Sequence, residues 1–431
     1  MSLFLGKMCE HIPGRKSLTE NEKVLEVMPS KEAFIPLVAG NNTSFDIFVE
    51  EGDQVYVGTK LAQTQAGFCV PIYSSVSGIY KGTVKRMHSS MKPQNHMVIE
   101  LDGKQEKVQA FEPIDYKTAT REELVEFTKN SGLVGLGGAG FPTYVKYMKP
   151  EGIDAVLINA VECEPYITAD YRTIMEDVEH LITGCLIMKK MAKAPKVMVC
   201  IKTSHPDLIE KVRNAAQGTE VEVREVPDVY PMGWERVLVR EVLKKEYNML
   251  PAEAGAIVNN ATTAIQLARM MEYGEAISTK CLTVSGEDVK HPTNVKAPVG
   301  TPVKEIMEAV GGYNEDSVRF LAGGPMMGKA IPNDMFVLDR AMNALTVLPN
   351  PADDAIACLR CGRCSDHCPA GLQPVRIAAA VKEGDAVEME KRGAMSCIEC
   401  GLCSYVCPSH IDVTENVRKA KRLLALQKKK K

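Results

Sequence analysis

The chain has 431 residues, 45% hydrophobic and 25% charged, with a formal net charge of -3. That length allows two to four domains, each with its own core, and the composition is that of an ordinary globular protein. The near-neutral charge argues against general nucleic-acid binding. The longest apolar runs fall far short of the roughly 20 residues a membrane span requires. Residues 1–15 carry Gly, His and Pro where a secretory leader needs an unbroken apolar core, so a cytoplasmic location with reduced thiols is expected.

In chain order, short β-type runs alternate with turns from about 33 to 101. The pattern Val49-Glu-Glu-Gly-Asp-Gln-Val-Tyr-Val-Gly58, followed by Ser74-Ser-Val-Ser-Gly78, resembles the barrel-sandwich module of lipoyl and biotinyl carriers. Such a carrier needs a lysine at its hairpin tip. None lies between Leu61 and Gly78, so the module is expected to be structural.

A helix with an acidic first turn is predicted over 121–130. The next stretch is Gly135-Leu-Gly137-Gly138-Ala-Gly140-Phe-Pro-Thr143, with Lys146 close behind. Gly135, Gly137 and Gly140 satisfy G-x-G-x-x-G, but a dinucleotide fingerprint follows a strand and this one follows a helix. Residues without side chains let backbone N–H groups approach a phosphate or flat ring, with Lys146 as a nearby cation. A plain glycine-rich turn is the competing account.

From 154 the pattern becomes βα. Strands are predicted over 154–159, 196–201, 220–226 and 255–259, and helices over 171–191, 206–217, 233–245 and 262–271. Regular alternation argues for a parallel, doubly wound sheet whose ligands sit at the carboxyl ends of the strands. Two strands end in polar clusters, Asn159-Ala-Val-Glu162-Cys-Glu164-Pro165 and Asn259-Asn260-Ala-Thr262. These groups suit a heterocycle and ribose hydroxyls; helix capping and turn formation are the alternative. Two acids at a strand end beside a glycine loop are hard to explain by packing, so Glu162 and Glu164 are read as functional.

Residues 278–332 read as strand, hairpin, helix and strand, a small β-grasp-like unit ending in the tight turn Gly323-Gly-Pro-Met-Met-Gly328. A linker is expected over 340–353. Then come Cys358-Leu-Arg-Cys361-Gly-Arg-Cys364-Ser-Asp-His-Cys368-Pro369 and Cys397-Ile-Glu-Cys400-Gly-Leu-Cys403-Ser-Tyr-Val-Cys407-Pro408. Two complete C-x2-C-x2-C-x3-C-P runs make the two-cluster ferredoxin pattern, in which the fourth cysteine of each run ligates the other cluster. Cluster one is assigned Cys358, Cys361, Cys364 and Cys407, and cluster two Cys397, Cys400, Cys403 and Cys368. Paired zinc sites are the competing account, but zinc needs neither a third cysteine at x2 nor the proline. Cys9, Cys69, Cys163, Cys185, Cys200 and Cys281 lack ligand spacing and read as packed thiols. The basic end, with four closing lysines, reads as a solvated tail, and attraction to an anionic membrane face or acidic partner is the minority reading.

With these stretches in one order, the chain resembles the C subunit of the Rnf electron-transport complex over nearly its whole length. The resemblance rests on Gly137–Thr143, Val161-Glu-Cys-Glu-Pro-Tyr-Ile-Thr-Ala-Asp170, the turn at 323–328 and the cysteine runs. The glycine loop and Asn259-Asn260-Ala-Thr262 are also similar to the flavin subunit of respiratory complex I. The resemblance implies four parts: a barrel-sandwich module at 1–115, a Rossmann-like FMN/NADH domain at 116–275, an SLBB-like β-grasp unit at 276–340, and a helical two-cluster domain with a basic tail at 341–431. It further implies an NADH-oxidising flavin/iron–sulfur oxidoreductase subunit with non-covalent FMN and two [4Fe-4S] clusters. Its partners would be membrane-embedded and ferredoxin-like subunits, with ferredoxin reached indirectly, and it would lie peripherally on the inner face of the cell membrane. Gly135, Gly137, Gly138, Gly140 and Lys146 would then hold the FMN phosphate and ribityl chain. Asn159, Asn259, Asn260 and Thr262 would contact the flavin or ribityl hydroxyls, and Glu162 and Glu164 the nicotinamide or ribose side. Leu136 stands where the complex I loop often has arginine, and residues 39–45 lack the histidine-glycine-proline texture associated with the family. A cobalamin reductase of the bacterial-microcompartment type and a non-enzymatic iron–sulfur relay are the alternative readings.

Overall fold

A computed structural model describes residues 11–350 and 354–430. The first part of the N-terminal segment, with Cys9, and the end of the basic tail lie outside the described residues and side chains.

The flavin-type domain is built on four parallel strands, β1 (Ala155–Ala160), β2 (Lys196–Lys202), β3 (Val221–Val226) and β4 (Ala256–Asn260), in the order β3-β2-β1-β4. Side chains alternate between faces along a strand. Val156 and Ile158 enter one core with helices Val178–Ala192 and Ala261–Tyr273, while Ala155 and Leu157 enter a second with Leu238 of Glu235–Leu243. The sheet is therefore covered on both faces, as the uninterrupted apolar strands require.

The order reverses between β1 and β4, where Asn159 and Asn260 lie side by side in register. Open α/β sheets bind ligands in the crevice at this kind of switch point. The helix expected over 171–191 is two, Ala169–Glu176 and Val178–Ala192, broken at Asp177. The Asp177 carboxylate accepts from Arg269 at 3.2 Å and from His180, contacts that hold it outside regular helix.

The N-terminal module is two antiparallel sheets of four and three strands around Ile35, Leu61, Ile72, Met97 and Ile99. It leans on the glycine loop through Phe68, edge-on to Phe141 with centroids 5.5 Å apart. The β-grasp unit extends further than its sequence texture suggests. Ala344–Pro349, within the expected linker, is an inner strand of a six-stranded sheet, pairing parallel with Thr279–Ser285 and antiparallel with Val318–Ala322. Its Leu345 and Val347 are fully buried, and the prolines that suggested a linker fall at and beyond its end.

The C-terminal domain packs Pro374–Glu383, Ala386–Lys391 and Val413–Lys430 around Ile377, Val381, Met389, Val417, Ala420 and Leu424, so the basic end expected as a solvated tail is instead a helix whose apolar face is buried. The spacing of those residues is that of one apolar helical face on each long helix.

Candidate functional site

The glycine loop crosses the switch point. Gly137, Gly138 and Ala139 are exposed, whereas the flanking Leu136 and Pro142 are buried. Gly135 N donates to Phe141 O at 2.8 Å and Leu136 N to Thr263 Oγ1 at 3.0 Å, closing the loop and tying it to the helix after β4. A Cβ on Gly137 would lie 2.5 Å from Asn260 Nδ2. Only glycine permits that approach.

Asn260 caps its helix by accepting from Thr263 N at 3.3 Å, while its Nδ2 donates to Asp170 Oδ2 at 2.5 Å. Thr262 Oγ1 donates to the other Asp170 oxygen at 2.7 Å, and Glu162 Oε1 accepts from Asp170 N at 2.8 Å. Gly137, Asn260, Thr262, Asp170 and Glu162 thus form one connected wall. Asp170, which sequence reasoning passes over as a candidate, is its hub. Its sequence signal is its place at the end of the Val161–Asp170 stretch.

The other candidates are spread wider. Lys146 Nζ donates to Val258 O at 2.5 Å and lies 3.5 Å from Glu235 Oε1. Asn259 Nδ2 donates to Tyr147 OH at 2.6 Å, and Asn159 Nδ2 to Gly233 O at 2.7 Å. Glu164 turns toward the β-grasp unit and accepts from Met326 N at 3.1 Å and Met327 N at 2.8 Å, closing the 323–328 turn. Burial pushes the Glu164 carboxyl up to about 7 against those two hydrogen bonds. Desolvation also raises Glu162, with Lys16 pulling the other way.

Lys16 Nζ donates to the carbonyls of Glu162 at 2.9 Å, Glu164 at 2.8 Å and Ile167. Lys280, only 3% exposed, donates to Leu136 O at 2.7 Å. Sequence reasoning misses these two because a lone lysine reads as a surface residue. An exposed glycine loop at the switch point, with the Lys280 ammonium holding one of its carbonyls from beneath, fits a phosphate-bearing planar cofactor. Thr143 Oγ1, at the end of the same motif, is buried without a hydrogen-bond partner among the described residues.

The cysteine runs share one local conformation. Arg360 and Glu399 both have φ 56° and Gly362 and Gly401 both φ 81°, each glycine starting a short helix, Arg363–Asp366 or Leu402–Tyr405. Arg360 N donates to Cys358 Sγ at 3.4 Å and Glu399 N to Cys397 Sγ at 3.3 Å. Amides curled toward sulfur suit thiolates that carry a cluster's negative charge.

Cys368 is an electrostatic neighbour of Cys397, Cys400 and Cys403 and also of Cys364, and Cys364 is one of Cys358, Cys361 and Cys403. Ile356 N donates to Ser409 O and Ser409 Oγ to Ala357 O, both at 3.1 Å, which brings the chain after Cys407 beside the start of the first run. Cys358 and Cys361 are exposed, while Cys368, Cys400 and Cys403 are buried.

The second run packs on the flavin-type domain. Tyr230 OH donates to Cys400 O at 2.6 Å, and Tyr230, Cys400 and Leu402 form a core with Cys163, Met326 and Met327 around it. The Glu164 carboxyl interacts with the same tyrosine.

Family profiles match in the same order: the RnfC barrel sandwich hybrid domain over 9–104, the Nuo51 FMN-binding domain over 128–269, the SLBB domain over 282–330 and the 4Fe-4S dicluster domain over 350–408. The chain is 33% identical over 377 residues to the C subunit of the proton-translocating ferredoxin:NAD(+) oxidoreductase complex of Clostridium ljungdahlii, covering 85% of this chain and 82% of that one. It is 31% identical over 433 residues to the C subunit of the Na(+)-translocating ferredoxin:NAD(+) oxidoreductase complex of Acetobacterium woodii, covering 97% of each. It is 33% identical over 397 residues to the C subunit of the ion-translocating oxidoreductase complex of Rhodobacter capsulatus, covering 89% of this chain and 76% of that one. Among the described residues no helix is long and apolar enough to cross a membrane. Four domains in matching order, with these identities over most of both chains, establish that the chain belongs to the RnfC family, the C subunits of ion-translocating ferredoxin:NAD oxidoreductase (Rnf) complexes.

Proposed function

We propose that the chain is the peripheral electron-input subunit of a membrane-bound ferredoxin:NAD+ oxidoreductase complex, exchanging electrons between NAD(H), FMN and two [4Fe-4S] clusters. Ion translocation belongs to partner subunits. Its place is the inner face of the membrane, beside membrane-embedded and ferredoxin-like subunits. The observation that carries this reading is the seat of Cys400 on Tyr230, which sets the second cysteine run against the floor of the switch-point domain.

Gly135, Gly137, Gly138 and Gly140, with Lys146, hold the FMN phosphate and ribityl chain. Asn260 and Thr262 line its ring side, Asn259 supports them from beneath through Tyr147, and Asn159 shapes the floor through Gly233. A flavin held by these residues would supply hydride acceptance from a nicotinamide and one-electron release. Glu162 serves that side by fixing the Asp170 backbone, and Glu164 by fixing the turn that meets the second run. The inner cysteine set, Cys397, Cys400, Cys403 and Cys368, is the first electron acceptor. The outer set, Cys358, Cys361, Cys364 and Cys407, presents its exposed side to a partner.

The test is anaerobic. Clusters are reconstituted, FMN is added, and NADH and NADPH are titrated while flavin absorbance and cluster EPR are recorded. NADH is expected to bleach the flavin and reduce the clusters. If dithionite reduces the clusters but neither nucleotide bleaches the flavin, the NADH site is abandoned and the chain is a relay fed by another protein.

A further inference from the structure

The two cysteine runs are related by one constant offset in the sequence: Cys358 with Cys397, Cys361 with Cys400, Cys364 with Cys403, Cys368 with Cys407. The same offset pairs Ser365 with Ser404, Pro374 with Val413, and Val375 with Thr414. The last two pairs open the two long helices, Pro374–Glu383 and Val413–Lys430, so the halves are structural repeats. Where repeats differ beside otherwise matched ligands, the difference acts on the ligands.

The difference falls on Cys403. Thr414 Oγ1 lies 3.3 Å from Cys403 Sγ and is 5% exposed. In the first half, Cys364 receives a backbone hydrogen bond from Val375, a residue with no hydroxyl, and a side-chain hydrogen bond from Ser365, whose counterpart Ser404 is instead engaged with Thr414. Thr414 is itself fixed: its amide donates to Ser404 Oγ at 2.9 Å, and Ser404 Oγ lies 2.9 Å from Thr414 Oγ1 and 3.2 Å from Asp412 Oδ1. Ser404 Oγ donates its proton to the nearer acceptor, Thr414 Oγ1, which leaves the threonine proton available to the sulfur. In a free thiol either partner of the Thr414–Cys403 contact can donate. A thiolate bound to iron has no proton, which leaves the threonine as donor.

A hydrogen bond to a ligating sulfur stabilises the electron-rich state more than the electron-poor one, because reduction adds one negative charge that the sulfurs share. Burial works the other way by disfavouring added charge. The inner set is the buried one, and its Cys403 takes its hydroxyl contact from Thr414 on the long helix, where Cys364 takes one from Ser365. We infer that Thr414 is a tuning residue whose hydroxyl raises the reduction potential of the Cys397/Cys400/Cys403/Cys368 cluster, offsetting burial and keeping that cluster able to accept single electrons. No proton moves in this step; the hydroxyl stays on threonine in both oxidation states.

The inference rests on the reading of the eight cysteines as two cluster sites. The experiment is an EPR-monitored redox titration of the full, cluster-loaded chain and of Thr414→Val, Thr414→Ser and Val375→Thr. Iron content and the EPR of the parent report on the cluster reading alone: a parent without two clusters overturns that reading. With two clusters present, Thr414→Val is expected to lower one of the two midpoint potentials and leave the other in place. Thr414→Ser restores it, and Val375→Thr raises the other. Identical potentials in Thr414→Val and parent overturn the inference. If Thr414→Val fails to assemble the cluster, Thr414→Ala and Thr414→Ser are compared, and equal potentials in that pair overturn it instead.

Discussion

Gly362 and Gly401 are indistinguishable as motif residues, and substituting each by alanine separates what the motif requires from what docking requires. Both have φ 81°, so each alanine is held in the left-handed region at a cost of about 1–2 kcal/mol. Around Gly362 an added Cβ meets nothing within 4 Å, whereas at Gly401 it lies 2.5 Å from Met326 O and 3.2 Å from Met326 C. The oxygen is backbone, held in the turn that Glu164 closes through Met326 N and Met327 N. It cannot swing away as a side chain would. Forcing a methyl into such a contact costs about 1–3 kcal/mol, so Gly401→Ala is expected to be worse than Gly362→Ala by that margin. Strain of this kind is relieved by lifting the cysteine domain off the turn. Calorimetry of the cluster-loaded variants measures stability, and stopped-flow absorbance after mixing with NADH measures transfer from flavin to clusters. Slower cluster reduction in Gly401→Ala, with flavin bleaching as fast as in Gly362→Ala, is the expected pattern. Equal stability and equal rates in the two variants would refute the docking geometry.

Gly137→Ala pushes Asn260 off Asp170, losing a charge-assisted hydrogen bond worth about 1.5–3 kcal/mol; FMN affinity, read by fluorescence quenching, should fall at least about tenfold, and an unchanged affinity contradicts the wall described above. Tyr230→Phe leaves Cys400 O without its donor, so NADH should still bleach the flavin while cluster reduction slows; parent-like rates of both steps would detach Tyr230 from the path. Lys280→Met exchanges a buried ammonium for an apolar side chain of similar length, and is expected to weaken FMN binding with little loss of unfolding temperature; strong unfolding with intact affinity would reverse the assignment. The raised Glu164 carboxyl binds more protons folded than unfolded between pH 4.5 and about 7. Its contribution is therefore fully present below pH 4.5 and is lost as pH rises to about 7, by at most about 3 kcal/mol. Glu162 acts with the same sign, so Glu164→Gln should flatten, not abolish, the decline in unfolding temperature over that window; an unchanged slope would count against a protonated Glu164.

Much of this was legible in the sequence because its signals are local. Two C-x2-C-x2-C-x3-C-P runs announce a dicluster domain by spacing, and apolar runs alternating with amphipathic helices impose a parallel sheet. Ala344–Pro349 was not legible because sheet membership is decided by which neighbour offers an unpaired edge, here Thr279–Ser285 and Val318–Ala322. Prolines at the end of a strand look the same as prolines in a linker. Glu162 and Glu164 read as facing an open ligand side because acids at a strand end usually meet solvent. The structure instead satisfies them with the amides of Asp170, Met326 and Met327, residues up to 163 positions away. Their burial depends on chain segments that no local window contains.

The same long-range logic explains why four domains occur in one chain. Three inward-turned cations hold carbonyls around the switch point, and each comes from outside the stretch 128–269 matched to the Nuo51 FMN-binding domain. Lys16 takes the carbonyls of Glu162, Glu164 and Ile167, Lys280 takes Leu136 O, and Arg340 takes Gly132 O and Pro71 O, both at 3.3 Å. In a trans peptide the carbonyl and the following N–H point in opposite directions. Drawing Leu136 O down onto Lys280 therefore turns the amide of Gly137 up, toward the exposed side of the loop. On the proposed function the lysine would act twice, orienting a donor toward a cofactor phosphate and placing a positive charge beneath it. Leu136 lacks the cation that an arginine would bring at that position, and the β-grasp unit returns one from below. The barrel-sandwich module and the β-grasp unit thus hold the backbone around the switch point, and on the proposed function they would be working parts of the flavin site.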